Sequence, residues 1–281
     1  MNWHNFTGSL SNLYWAAIAF LLLQPVIRQR MFDWARQTMM RNIELKRQSR
    51  VISLIHRKEI VNIFGFPLVQ YVDIQDSEAI LRAIHLTSAE VPLDLILHTP
   101  AGLSFSAEQI ARALNRHKGK VTVFVPHYAM SGGTLIALAA DELVMSPDAV
   151  LGALDPTIGR FPAASVLTVS QRKKPEDIDD ETFLLVDQAG KAVAQMKQLV
   201  ALLLRRHRSG EKADELAHLL TSGRWTQDYP ITIEEAVELG LAVREEMPVE
   251  IFQYMNLFPQ SGQQRPSVDF IPLPYQPTKT K

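Results

Sequence analysis

No cysteine occurs among the 281 residues of this chain. Disulfides, thiolate metal sites and a cysteine nucleophile are therefore excluded. An excess of charge is missing too. The 29 basic and 30 acidic residues leave a net charge of −1, so no overall basic field invites a nucleic acid. Eight histidines are present, yet no HExxH pair sets two of them on one helix face to hold a metal. There is no glycine-lysine phosphate loop for ATP, and no internal repeat. These gaps lead us to expect neither metal nor cofactor. What remains, 47% hydrophobic and 21% charged residues, is ordinary for a folded globular protein.

Charge is absent altogether from the first 27 residues. Within them "LYWAAIAFLLLQPVI" runs from Leu13 to Ile27. With the uncharged Ser9 to Asn12 included, the segment reaches the length of about 20 residues needed to cross a bilayer. Tyr14 and Trp15 suit an interface. Arg28, Arg30, Arg36, Arg41, Lys46, Arg47 and Arg50 follow. Positive charge stays on the cytoplasmic side. The expectation is a short outer N-terminus (1–8), a single-pass anchor (9–27), and the rest inside. A cleaved signal peptide would carry its charge before the apolar stretch, which is not the pattern here. Residues 28–50 have helical spacing and a basic face, as expected of a juxtamembrane helix that meets anionic lipid or packs between subunits.

From residue 51 the pattern changes to alternating strands and helices. Strands are predicted at 51–56, 66–74, 93–99, 120–126 and 142–147. Helices are predicted at 76–88, capped by an Asp-Ser pair, at 106–117 with Ser106 as N-cap, and after Ser131. A long helix follows at 179–208, capped by Asp179 or Asp180, then a helix and turn from 210 and a helix at 231–243 closed by Gly240. Such alternation implies an α/β fold with a parallel sheet and right-handed crossovers. Ligands in such folds bind beyond the carboxyl ends of the strands. This domain is expected to span 51–247. The tail, 248–281, is rich in proline and polar residues towards its end and is expected to be partly disordered.

Two loops leave adjacent predicted strands on one sheet edge. The first carries "HTPAG" (98–102), the second "AMSGGT" (129–134). Glycine lets backbone approach a substrate closely. A serine at a helix mouth, beside unpaired N–H groups, has the makings of a nucleophile next to an oxyanion site. The same serine could equally cap its helix. Local pattern leaves both readings of Ser131 open.

The blocks "HTPAG", "AEQIA", "AMSGGTLIALAAD", "LGALDPTIG", "FPAASVL" and "DYPITIEEAVELGL" resemble the SDH-type serine proteases, or serine dehydrogenase proteinases. These are a membrane-associated branch of the Clp protease/crotonase superfamily, related to signal peptide peptidase A. The resemblance spans roughly 50–245. It implies a Clp/crotonase-like fold, Ser131 as nucleophile, Gly102 and Gly132 as the oxyanion hole, and a homo-oligomer. The usual Pro-Gly-Gly turn has Ala101 at its first glycine, a costly exchange if that position needs positive φ.

The resemblance also bears on the base. Clp proteases place a histidine about 25 residues beyond the serine, where this chain has Asp155 and Pro156. The related membrane proteases use a Ser-Lys dyad, in which desolvation makes lysine a base near neutral pH. Lys191, among the small residues Ala189, Gly190 and Ala192, is the leading candidate, with Lys173 and Lys174 as alternatives. His98 and His127 lie near the same sheet edge. The expected function is a membrane-anchored serine protease acting on peptides or membrane-protein segments, without cofactor. The alternatives are a non-catalytic membrane scaffold and a crotonase-type acyl-CoA enzyme.

Overall fold

A computed structural model of the chain describes residues 23–24, 27, 29–56, 61–63, 66–68, 72–102, 104–174, 176 and 178–258. The expected anchor at 9–27 lies almost wholly outside these residues, as does the tail from 259. Among the described residues no helix is long and apolar enough to cross a membrane.

In chain order, helix α1 (29–47) leads into β1 (Arg50–Ile55), β2 (Val61–Ile63), β3 (Phe66–Leu68), α2 (Ile74–His85), β4 (Leu93–His98), α3 (Ser104–Arg116), β5 (Val121–Val125), β6 (Tyr128–Ala129) and α4 (Gly132–Ala137). Then come β7 (Glu142–Met145), β8 (Val150–Gly152), β9 (Thr157–Ile158), β10 (Phe161–Pro162), α5 (Ala163–Arg172), α6 (Asp180–Leu204) and α7 (Gly210–Thr221). The described chain closes with β11 (Pro230–Ile231), α8 (Ile233–Glu238), β12 (Val243–Arg244) and α9 (Val249–Met255).

The main sheet has the order β1-β4-β5-β7-β12, with every pair parallel. β4 and β5 are buried along their whole length, as strands covered on both faces must be. Their side chains alternate between two apolar layers. Leu95, Leu97, Val123, Val125 and Met145 belong to the larger core with residues of α2, α3, α4, α6 and α7. Val51, Ile96, Phe124 and Val144 face the other way, against Ile43 of α1 and Ile251, Tyr254 and Met255 of α9.

The basic segment is therefore docked on the sheet at its C-terminal half. Buried Asp94 of β4 accepts from Arg47 Nε at 2.5 Å and Arg47 Nη2 at 3.2 Å, and from Ser49 Oγ at 2.5 Å. Arg36 Nε donates to the Leu257 carbonyl at 3.0 Å, and Lys46 pairs with Glu250. Arginine and lysine on this helix hold the C-terminal helix as well as presenting charge.

Four expectations need correction. Of the described residues in the strand expected at 66–74, Phe66–Leu68 form β3, paired antiparallel with β2 outside the main sheet, and Ile74 already begins α2. Pro67 has no N–H to give to an interior ladder, and β12 supplies the fifth strand instead. Asp73, not the Asp76–Ser77 pair, caps α2, with Asp76 completing a capping box from the third helical position. Ser106 does not cap α3. That helix starts at Ser104, and Ser106 is fully buried within it. The region 231–243 also divides into α8, Gly240 at φ +76°, and β12. The long helix matches its expected start, with Asp179 Oδ1 accepting from Thr182 N–H at 2.8 Å.

Candidate active site

The Pro-Ala-Gly turn follows β4, and the Ser131 turn follows β5 and β6. Backbone bonds lace the two together. Thr99 N–H donates to the Tyr128 carbonyl at 3.2 Å, and Met130 N–H to the Thr99 carbonyl at 3.0 Å. Gly102 and Gly132 then meet backbone to backbone. A Cβ on Gly132 would lie 2.9 Å from Ala107 Cβ and 3.4 Å from Gly102 Cα, and one on Gly102 would lie 2.9 Å from Val72 Cβ. Glycine is required here for space. Neither position has positive φ. Nor does Ala101, so the alanine in the turn carries no backbone penalty.

Ser131 does have positive φ, at φ 51° and ψ −114°. Among the described residues it shares this with one other non-glycine, Gln48. Such a conformation costs about 1–3 kcal/mol and persists only where the surroundings impose it. Those surroundings are visible. Gly133 N–H donates to the Met130 carbonyl at 2.8 Å. Gly152 passes directly beneath, where a Cβ would come 2.9 Å from Ser131 N. The Thr134 hydroxyl lies 2.7 Å from the Ala129 carbonyl and accepts from Gly152 N–H at 2.8 Å. The Ser131 side chain makes no capping bond and is exposed. The helix-cap reading of this serine therefore fails. Gly152 and Thr134 were not singled out from the sequence. The "LGALDP" glycine is the available signal, but its role depends on meeting Thr134, 18 residues before it.

α4 has only six residues, so it offers free N–H groups more than a long dipole. The Gly102 and Gly132 N–H groups have no acceptor among the described residues. Ser131 and Gly102 line an open cleft of about 620 Å³ with Pro100, Ala101, Tyr128, Met130, Val150, Thr157, Gln227, Asp228 and Pro230. Both also line a smaller cavity of about 70 Å³ with Ser104, Gly132, Leu135, Leu154, Asp155, Pro156, Thr157, Met196 and Gln227. The carboxylates among these are Asp155 and Asp228, and Tyr128 adds a phenol. Burial raises the Asp155 carboxyl above its ordinary range, opposed by the bond it accepts from Ala164 N–H.

The structure thus brings Ser131, Gly102 and Gly132 together. It places the three lysines elsewhere. Lys191 stands on the exposed side of α6, paired with Asp187 at 2.6 Å, its side chain 67% exposed. Its small neighbour Ala189 is buried instead, because two positions on a helix point about 200° apart. Lys173 ends α5 in solvent, and Lys174 lies 3.7 Å from Glu176. The His98 ring packs 4.1 Å from Tyr128 and 5.5 Å from His127. Neither histidine lines the cavities at Ser131. Among the described residues no His/Asp/Glu group is arranged to hold a metal ion.

The family described as ClpP-like SDH-type serine proteinase matches residues 2–281. Two uncharacterized proteins of Methanocaldococcus jannaschii are similar over nearly full length. MJ0137 is 46% identical over 95% of this chain and 94% of its own, and MJ1495 is 47% identical over 95% and 91%. The probable protease SohB of Haemophilus influenzae is 32% identical over 36% of this chain and 28% of its own. Among solved structures, a mutant of the 1510-N membrane-bound stomatin-specific protease gives a TM-score of 0.42 at 19% identity, covering 66% of this chain and 80% of that one. A second mutant, in complex with a substrate peptide, gives 0.41 at 21% identity, covering 69% and 81%.

Proposed function

The chain belongs to the ClpP-like SDH-type serine proteinases, and from that premise we propose that it is a membrane-anchored endopeptidase with Ser131 as nucleophile. The observation that carries this reading is the strained, uncapped Ser131 lining an open cleft with Gly102 and a small cavity with Gly102 and Gly132, whose N–H groups are open. The chemistry is acyl transfer. Ser131 Oγ attacks a peptide carbonyl and gives up its proton to a base. The carbonyl oxygen becomes an oxyanion held by Gly102 and Gly132 N–H. The tetrahedral adduct collapses, the amine leaves with a proton, and water hydrolyses the acyl-enzyme.

The base in this reading is Lys191, with Lys173 and Lys174 as alternatives. Lys191 precedes the cavity-lining Met196 by about 7.5 Å along α6. To serve as base it must exchange Asp187 for the Ser131 hydroxyl and leave water. Substrate closing over the cleft, or a second copy packing on it, would supply that change. The charge-free N-terminus and the basic residues after it support a single-pass anchor with the peptidase domain on the cytoplasmic side. Substrates would be peptides or membrane-protein segments near the bilayer.

Fluorophosphonate labelling of detergent-solubilised protein tests the reading. Wild type should label, and Ser131→Ala should not. Loss of labelling in folded Lys191→Ala supports the dyad, whereas retention moves the base to Lys173 or Lys174. Folded wild type that never labels, and does not cleave casein, points to a non-catalytic scaffold.

A further inference from the structure

Three polar side chains behind the Pro-Ala-Gly turn take no part in the chemistry above. His56, just after β1, is 7% exposed. Its Nε2 lies 3.1 Å from Asp76 Oδ2 on α2. Its Nδ1 lies 3.3 Å from Thr99 Oγ1. Thr99 is fully buried and its hydroxyl donates to the Ala101 carbonyl at 2.7 Å. The Val72 N–H donates to the same carbonyl at 3.3 Å. None of His56, Asp76 and Thr99 lines the cavities at Ser131.

A hydroxyl has one proton to give. Given to Ala101, it leaves the Thr99 oxygen as an acceptor, so the imidazole Nδ1–H is its donor. Nε2, on the other side of the ring, lies against the Asp76 carboxylate, which fixes the ring between α2 and Thr99. Every donor in this chain has an acceptor, as buried polar groups require. The chain ends on the peptide bond between Ala101 and Gly102. That bond is planar and trans, so its C=O and N–H point in opposite directions. Holding the carbonyl towards Thr99 and Val72 therefore aims the Gly102 N–H the other way. Gly102 has no side chain whose packing could set that plane. Its orientation rests on the partners of the Ala101 carbonyl.

We propose that His56, Thr99 and Asp76 are positioning residues that aim the Gly102 N–H at the oxyanion. The proposal rests on the serine-peptidase reading above and deepens it. An oxyanion donor works only when it is held in place before charge develops. The effect should therefore fall on the tetrahedral stage and spare ground-state binding.

The test uses full-length protein in detergent. It measures the fluorophosphonate labelling rate at Ser131, the affinity for a peptide boronate, and the affinity for the same peptide as its amide. Thermal melting controls for folding. Thr99→Val and His56→Leu should slow labelling and weaken boronate binding by about 10–100-fold, with amide binding within about twofold. Thr99→Ser and His56→Gln, which restore a hydroxyl and a donor, should return both to within about threefold of wild type. If a buried variant fails to fold, Asp76→Asn on the more exposed end of the chain carries the test, with the same sign. Boronate binding and labelling at wild-type levels in folded Thr99→Val or Asp76→Asn would overturn the proposal alone. So would parallel loss of amide and boronate binding. Folded wild type that never labels would overturn the serine-peptidase reading and this proposal with it.

Discussion

Replacing Ser131 with glycine should stabilise the protein while destroying its nucleophile. The backbone at φ 51°, ψ −114° lies close to the first central position of a type II′ turn, where glycine dominates. For serine the conformation costs about 1–3 kcal/mol. Glycine recovers that strain but adds freedom to the unfolded chain, which costs about 0.4–1 kcal/mol. The hydroxyl makes no capping bond, so its removal subtracts little. The net expectation for Ser131→Gly is a gain of about 1 kcal/mol, or a rise in Tm of about 2–4 °C for a domain of this size. Ser131→Ala is the control. It keeps a Cβ and hence the strain, and should match wild type within about 0.5 kcal/mol. Urea unfolding followed by circular dichroism, with all three proteins in one detergent, measures both differences. Glycine less stable than alanine would refute the strain. A loss of about 1 kcal/mol in Ser131→Ala would instead mark the serine as a cap.

Other consequences can be measured alongside. Gly132→Ala puts a Cβ 2.9 Å from Ala107 Cβ and 3.4 Å from Gly102 Cα; it should part the two donors, cutting labelling at least about 100-fold and costing about 1–3 kcal/mol of stability. Asp155 titrates above its unfolded value because of burial. The stability it contributes is therefore complete below about pH 3.9, the unfolded value, and is lost as pH rises through the folded one. Asp155→Asn should accordingly raise Tm at pH 7 and leave it unchanged at pH 3, and a gain of equal size at both would refute the assignment. Arg47→Ala strips two hydrogen bonds from the buried Asp94 carboxylate and leaves Ser49; a loss of about 2–3 kcal/mol is expected, partly recovered by adding Asp94→Asn.

What the sequence announces and what it conceals divide along the range of the interactions involved. "LDLILH" and "VTVFV" announce buried parallel strands because both faces of such strands are apolar, and both lie at the centre of the sheet. Asp179 announces its helix because capping is settled within one turn. "FPLVQYVDI" misleads because its apolar character says nothing about which partner Pro67 leaves available. Val243 and Arg244 form an edge strand too short to show any period, and gain their place by pairing with β7.

The site follows the same division. By itself the sequence determined that serine stands between methionine and two glycines, that a second glycine turn precedes it, and that no cysteine, histidine pair or nucleotide loop offers other chemistry. It could not decide between cap and nucleophile, since that turns on one φ angle. Packing of Gly152 under Ser131, and the bonds between Thr99, Tyr128 and Met130, impose that angle. Nor could it tell which face of α6 carries Lys191, because the small residues around that lysine are compatible with either face until the helix meets its neighbours. The Asp76–His56–Thr99 chain lies furthest from the reach of sequence. Its members come from three elements, and only the parallel alignment of β1 with β4 brings His56 beside Thr99. Composition and spacing act along the chain and fix which groups are present; direction, strain and burial arise where distant segments meet, and the fold alone decides them.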